Sequence, residues 1–270
     1  MLKTEMRNGE TTHIDRMTPA EMVAVMQKEN LHAAQAVGQV LEPIAEAIDR
    51  ISARMQQGGR LLYVGCGTSG RLGVLDASEI PPTFGVSPEV VVGIIAGGDG
   101  ALRRAAENIE DDGAAGRRDV QAQQLCEKDT VVGISVAGGA AYVMGALQYA
   151  REVGALTVGI TSNAGSPVSA AADIAIDPDT GAEVITGSTR MKAGTAHKMI
   201  LNMLSTGVMI RTGKVYENLM VNIRPVNRKL RQRMIRIVSE ITGREEAASE
   251  QLLEEAHWDI PKAVQQMPQE

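Results

Sequence analysis

The chain has 270 residues, 44% apolar and 22% charged, a size and balance that fit one large α/β domain or a domain with a small appendage. Its net charge of −6 disfavours a general nucleic-acid surface, and with aromatics at only 2% there is little to build stacking platforms from, so the core must be aliphatic. No stretch approaches the roughly 20 apolar residues of a membrane span, and the polar start MLKTEMRNGETTHIDRM lacks the apolar run of a secretory signal. A cytoplasmic protein with no membrane or nucleic-acid partner is therefore expected.

Residues 1–18 read as an irregular arm. Thr18, Pro19 and Glu21 then form a capping-box pattern that starts a helix. A second helical run covers about His32 to Gln57 and ends at Gly58-Gly59. From residue 60 the period changes. RLLYVG, VVVGIIAGG, TVVGISVAGG, LTVGITSN and DIAIDPDTG are short β-branched runs, most of them followed by helical sequence. Such runs suit strands buried on both faces, and their alternation with helices predicts a doubly wound, mainly parallel five-stranded sheet. Ligands of such sheets bind beyond the carboxyl ends of the strands. A long helix is expected after Gly187, to about Arg211, followed by a basic amphipathic segment over 224–236 and short helices resembling a ubiquitin-associated three-helix unit. The domain reading is 1–57 as arm and packing helices, 58–222 as the ligand-binding α/β domain and 223–270 as a C-terminal helical segment.

Two loops carry candidate chemistry. Gly65-Cys66-Gly67-Thr68-Ser69-Gly70-Arg71 follows the first strand and opens a helix, so backbone amides, the Thr68 and Ser69 hydroxyls and the Arg71 cation suit an anion. It spells GxGxxG, a weak dinucleotide signal, but its hydroxyl content fits a phosphomonoester better, and no Walker lysine follows. Ser188-Thr189-Arg190-Met191-Lys192 opens the long helix with hydroxyls beside cations, a second phosphate or carboxylate candidate in which Lys192 alternatively is a solvated surface charge. Two carboxylates stand out. Glu79 is expected at the end of the helix that Ser69 begins, partly buried before Pro81-Pro82. Glu110 is expected near the end of a helix from Asp99 to about Asp112, closed by Gly113. A carboxylate at a helix C-terminus, or beside Asp111 and Asp112, is disfavoured in its charged form, the direction useful for acid–base work. The two cysteines, Cys66 and Cys126, read as small buried hydrophobes, the four histidines show no metal-ligand spacing, and His197 is a minor candidate only.

The stretches GRLLYVGCGTSGRLGVLDASEIPPTFGV and GAEVITGSTRMKAGTAHKMILNMLSTGVMIRTGKVYENLMVNI resemble the signatures of the N-acetylmuramic acid 6-phosphate etherases, of the sugar-isomerase (SIS) superfamily, and the resemblance runs from about Thr12 through the C-terminal helices. It implies a cofactor-free carbon–oxygen lyase of cell-wall amino-sugar recycling. Such an enzyme cleaves the D-lactyl ether of N-acetylmuramic acid 6-phosphate to N-acetylglucosamine 6-phosphate and D-lactate, and it works as a homodimer with sites near the interface. The family's catalytic glutamates correspond to Glu79 in Asp76-Ala77-Ser78-Glu79 and Glu110 in Ile109-Glu110-Asp111, and Gly67, Thr68, Ser69, Arg71, Ser188, Thr189 and Lys192 fall in the phosphate-binding loops. One departure stands out. Where the family shows Ser-Gly-Arg-Thr-Pro-Tyr-Val, this chain has Ala137-Gly138-Gly139-Ala140-Ala141-Tyr142-Val143. Loss of a charge-assisted phosphate bond there costs roughly 1.5–3 kcal/mol. Ser69 and Glu79 lie ten positions apart, about 15 Å along a straight helix, so either that helix breaks or the two residues serve different sites across a dimer. A non-catalytic sugar-phosphate regulator and an aldose–ketose isomerase are the alternatives on the same fold.

Overall fold

The computed structural model describes residues 2–106 and 108–265. The predicted reach of the last helix to Met267 lies outside the described residues, as do Met1 and Glu107. The arm is not irregular. It folds into three one-turn 3-10 helices at Lys3–Glu5, Gly9–Thr11 and Ile14–Arg16, with Thr4 and Thr11 buried. Helix α1 (Pro19–Gly38) opens on the expected capping box, in which Thr18 accepts from the Glu21 amide and Glu21 accepts from the Thr18 amide. The break before α2 (Leu41–Met55) falls at Gln39-Val40, not near residue 31. Nothing at Leu31 stops a helix, whereas Pro43 is tolerated in the first turn of α2, where its missing N–H has no intrahelical partner to lose.

All five expected strands form: β1 (Leu61–Gly65), then helix α3 (Gly67–Phe84), β2 (Val91–Ile95), short α4 (Gly100–Arg103), α5 (Gly113–Gln121), β3 (Thr130–Ile134), α6 (Ala141–Glu152), β4 (Leu156–Ile160), short α7 (Pro167–Ala171) and β5 (Ile174–Ile176). The order is β2-β1-β3-β4-β5 and every pairing is parallel. Alternate residues of β1 enter different cores. Leu61 and Tyr63 pack with α1, α2, α3 and the long α8 (Lys192–Arg211), while Leu62 and Val64 pack with α5, α6 and α7. A short hairpin of β6 (Val215–Tyr216) and β7 (Leu219–Met220) leads to α9 (Arg228–Thr242), α10 (Glu246–Glu255) and α11 (Ile260–Gln265), which gather around their own cluster of Met234, Ile235, Val238, Leu253 and Ile260. The basic face of α9 is solvated, with Arg231 stacked 4.8 Å from the centroid of the Trp258 ring. No described helix is long and apolar enough to cross a membrane.

Helices α5 and α6 pack with almost no gap, because a Cβ on Gly116 would lie 1.8 Å from the backbone oxygen of Tyr142. Gly116→Ala should therefore push the helices apart and destabilise the fold by roughly 1–3 kcal/mol, read as a lower urea midpoint with unchanged slope.

Candidate functional site

The strand order reverses between β1 and β3, and the register sets Gly65 beside Ile134, so the loops leaving these two strands start side by side. Between them lies a cavity of about 280 Å³ lined by Glu5, Cys66, Gly67, Thr68, Ser69, Glu110, Ser135, Val136, Ala137, Ala140, Gly187 and Thr189. On one side, α3 begins at Gly67 with no side chain capping it, which leaves its first-turn amides open to an anion. The hydroxyls of Thr68 and Ser69 stand in the same wall, and Thr189 faces them from the loop before α8.

Glu110 reaches this cavity by a route the sequence pattern did not show. The helix expected over 99–112 is confined to α4; Arg104 turns extended and Asn108 adopts a left-handed φ of 60°. Gly113, read as a stop, is the first residue of α5, and Asp112 is its N-cap, accepting from the Ala115 amide at 2.8 Å. Glu110 therefore sits in a turn, not at a helix C-terminus, and its carbonyl accepts from the Tyr142 amide at 3.0 Å, pinning it to the start of α6. Burial, then the negative charges of Glu110 and Asp111, push the neighbouring Cys66 thiol up to about 12, so it is a neutral thiol at the cavity wall. Cys126 is exposed, contrary to the buried reading.

Glu79 stands elsewhere. Helix α3 does not break before the prolines; it runs through Pro81 and Pro82 to Phe84 and closes at Gly85, whose amide bonds the Pro81 carbonyl at 2.9 Å. The rings cost the Ala77 and Ser78 carbonyls their helical donors, and burial of Ile80 and Phe84 on the sheet keeps the last turn in place. Glu79 is thus in mid-helix and exposed, not partly buried at an end, on the same outward face as the exposed Leu75. It does not line the cavity that holds Glu110.

Two cations expected on phosphate are engaged with protein. The Arg71 guanidinium donates to the carbonyls of Ala101 at 2.7 Å and Leu102 at 3.1 Å, where it tethers α4. Lys192 is 3% exposed and pairs with the equally buried Glu29 of α1, so it is neither a surface charge nor in the cavity. The buried Glu183 carboxylate takes the first amides of α8, accepting from Lys192 N at 2.9 Å and Ala193 N at 3.0 Å, so this helix end already holds an internal anion. Ser188 is half-buried in the turn just before it. His197 is fully buried, its Nε2 lies 3.1 Å from Ser162 Oγ, and burial pushes its pKa down to about 4, so it is a neutral core residue. Sequence reasoning missed Ser135 and Glu5; neither stands in a pattern that marks it, and only the meeting of distant segments brings them to the cavity.

Comparison with known proteins agrees with this architecture. The model of the glucokinase regulatory protein N-terminal SIS domain matches residues 43–151, and that of the SIS domain matches residues 105–207. An N-acetylmuramic acid 6-phosphate etherase of Caldanaerobacter subterraneus is 54% identical over 97% of this chain and 86% of its own length. The chain belongs to the N-acetylmuramic acid 6-phosphate etherase family. Another etherase, of Aeromonas hydrophila, is 53% identical over 97% of this chain and 88% of its own. Among solved structures, a phosphoheptose isomerase from Neisseria gonorrhoeae superposes with a TM-score of 0.55 at 20% identity, covering 71% of this chain and 98% of its own. At that identity the likeness speaks for the fold alone.

Proposed function

We propose that the chain cleaves the D-lactyl ether of N-acetylmuramic acid 6-phosphate, giving N-acetylglucosamine 6-phosphate and D-lactate, an activity that fits the name of its family. The observation that carries the reading is one cavity that combines an uncapped helix N-terminus, the hydroxyls of Thr68, Ser69 and Thr189, and the Glu110 carboxylate. The amides of Gly67, Thr68 and Ser69 hold the phosphate with Thr189 opposite, and this remote binding energy orients C2 and C3 of the sugar. Lys192 and Arg71 act one step back by fixing the frames of the two loops.

In the open-chain sugar the C2 proton is α to the C1 aldehyde. Glu110 removes it, and the C3–O bond breaks as Glu79 protonates the departing lactate oxygen. Glu79, now a carboxylate, takes a proton from water as the hydroxide adds to C3 of the unsaturated aldehyde, and C2 regains its proton from Glu110. Every atom lost from the ether is accounted for without a redox partner, so no cofactor is required. Because Glu79 is exposed and an unbroken helix separates it from Ser69, it serves the cavity of a second copy, which makes the working unit a homodimer. A phosphorylated sugar substrate places that dimer in the cytoplasm.

Incubation in ¹⁸O-labelled water tests the chemistry. Label at C3 of the product sugar with unlabelled D-lactate is expected. Labelled lactate, ketose formation, or binding of the substrate without lactate release would each refute this reading, the last favouring a sugar-phosphate sensor.

A further inference from the structure

The N-terminal arm brings a second carboxylate to the cavity. Its one-turn helix at Lys3–Glu5 is held by both ends of the Asn163 amide: Lys3 N donates to Asn163 Oδ1 at 3.1 Å, and Asn163 Nδ2 donates to the fully buried Thr4 Oγ1 at 3.2 Å. Further along, Asn8 Nδ2 donates to Glu29 at 2.9 Å and Thr11 Oγ1 donates to the Val184 carbonyl at 2.8 Å. An N-terminal segment frays unless it is tied down, and here four hydrogen bonds strap it across the loop after β4, the segment before α8 and helix α1. The residue next to the buried Thr4 is Glu5, whose side chain enters the cavity wall.

The opposite side makes room for it. A Cβ built on Gly187 would lie 3.3 Å from Glu5 Oε2, and Gly187 has a φ of 75°. A side chain at 187 would be strained and would press on the carboxylate, so the glycine serves both the turn and the close approach of the arm. The cavity then has an anion-seeking helix end, with carboxylates standing beside Cys66 and beside Gly187. A carboxylate repels phosphate, and it accepts hydrogen bonds from neutral donors more strongly than a neutral acceptor does. We infer that Glu5 is a substrate-binding residue, accepting a hydrogen bond from a hydroxyl or acetamido N–H of the bound amino sugar, and that the arm is the strap that positions it. The inference rests on the proposed sugar-phosphate site and adds a residue to it.

The test uses the full chain with Glu5→Ala and Glu5→Gln, thermal melting as a check on folding, and three readouts: KM and kcat for the muramyl substrate, the inhibition constant of inorganic phosphate, and calorimetric affinity for N-acetylglucosamine 6-phosphate. Loss of a hydrogen bond to a charged acceptor should raise KM roughly tenfold or more in Glu5→Ala, with a smaller rise in Glu5→Gln and less change in kcat than in KM. Product affinity should fall by the same factor, while phosphate inhibition stays within about twofold of wild type because the phosphate sits on the α3 amides. Unchanged KM and product affinity would overturn the proposal. So would tighter phosphate inhibition in Glu5→Gln, which would make Glu5 an internal occupant of the anion site instead. Should the wild-type chain release no D-lactate, the etherase reading fails by that result alone, and the product-affinity arm still decides the role of Glu5.

Discussion

Replacing Glu79 with glutamine is expected to lower D-lactate release by about 10²–10⁴-fold, the usual contribution of a positioned proton donor, while leaving folding and product binding intact. Folding should be indifferent because Glu79 is exposed on the outer face of α3 and makes no hydrogen bond or ion pair among the described residues. Phosphate binding should persist because the α3 amides lie about ten residues away, roughly 15 Å along the helix. Glu110→Gln should be similarly impaired. The two variants together test the assembly as well as the chemistry. If Glu79 serves the neighbour's cavity, a mixed dimer of Glu79→Gln and Glu110→Gln subunits holds one site with both carboxylates and one site with neither. Random pairing then restores roughly a quarter of wild-type activity to the whole mixture, and about half to the isolated mixed dimer, which has one working site in two. If both glutamates act within one chain, each site in the mixture lacks one of them and nothing is recovered. Co-expression with two different affinity tags, followed by a lactate assay on the doubly tagged fraction, distinguishes the outcomes. Absence of recovery would leave the shared-site dimer without support.

How far the sequence could carry this depended on whether the deciding interaction was local. The five strands were legible because each is a short β-branched run, with β1, β3 and β4 buried at every residue and the edge strands β2 and β5 partly so, a property of neighbouring residues. The capping box at Thr18 and the hydroxyl loop at Gly67–Ser69 were legible for the same reason. Gly113 was misread because Asp-Gly ends one helix as naturally as it begins another; here Asp112 caps α5, and the turn before it is held by the Glu110 carbonyl accepting from the amide of Tyr142, distant in sequence. Pro81 and Pro82 were read as terminators because local propensity disfavours them, but packing of Ile80 and Phe84 on the sheet outweighs that cost. Lys192 and Arg71 looked like phosphate ligands by position, and their actual partners, Glu29 and the Ala101 and Leu102 carbonyls, lie 163 and about 30 residues away in the chain. The same holds for Glu5, which meets Gly187 only after the arm has docked.

The largest expected effect on stability is at the Lys192–Glu29 pair. Both side chains are nearly excluded from solvent, at 4% and 3% exposure, so neither charge has water to fall back on. Burial alone would raise the Glu29 pKa; hydrogen bonding to Lys192 and its charge outweigh that and, with the Asn8 amide and His32 3.5 Å away, hold it below the ordinary carboxylate range. Removing one partner of such a pair typically costs about 3–5 kcal/mol because the other is left buried and unpaired. Lys192→Met should therefore lower Tm by roughly 10 °C, and it should also loosen the arm, since Asn8 is anchored on the same Glu29 carboxylate. The double variant Lys192→Met with Glu29→Met replaces both charges with matched apolar volume and should regain most of the loss. The pH dependence follows from the direction of the shift. A depressed folded-state pKa stabilises above the ordinary carboxylate value and loses that stabilisation as pH falls through the lower folded value. The gap between wild type and Lys192→Met should thus be full at neutral pH and close on acidification, read from urea midpoints across the range. A gap that persists in acid, or a double variant no more stable than the single one, would show that the lysine acts through its packing and not through its charge.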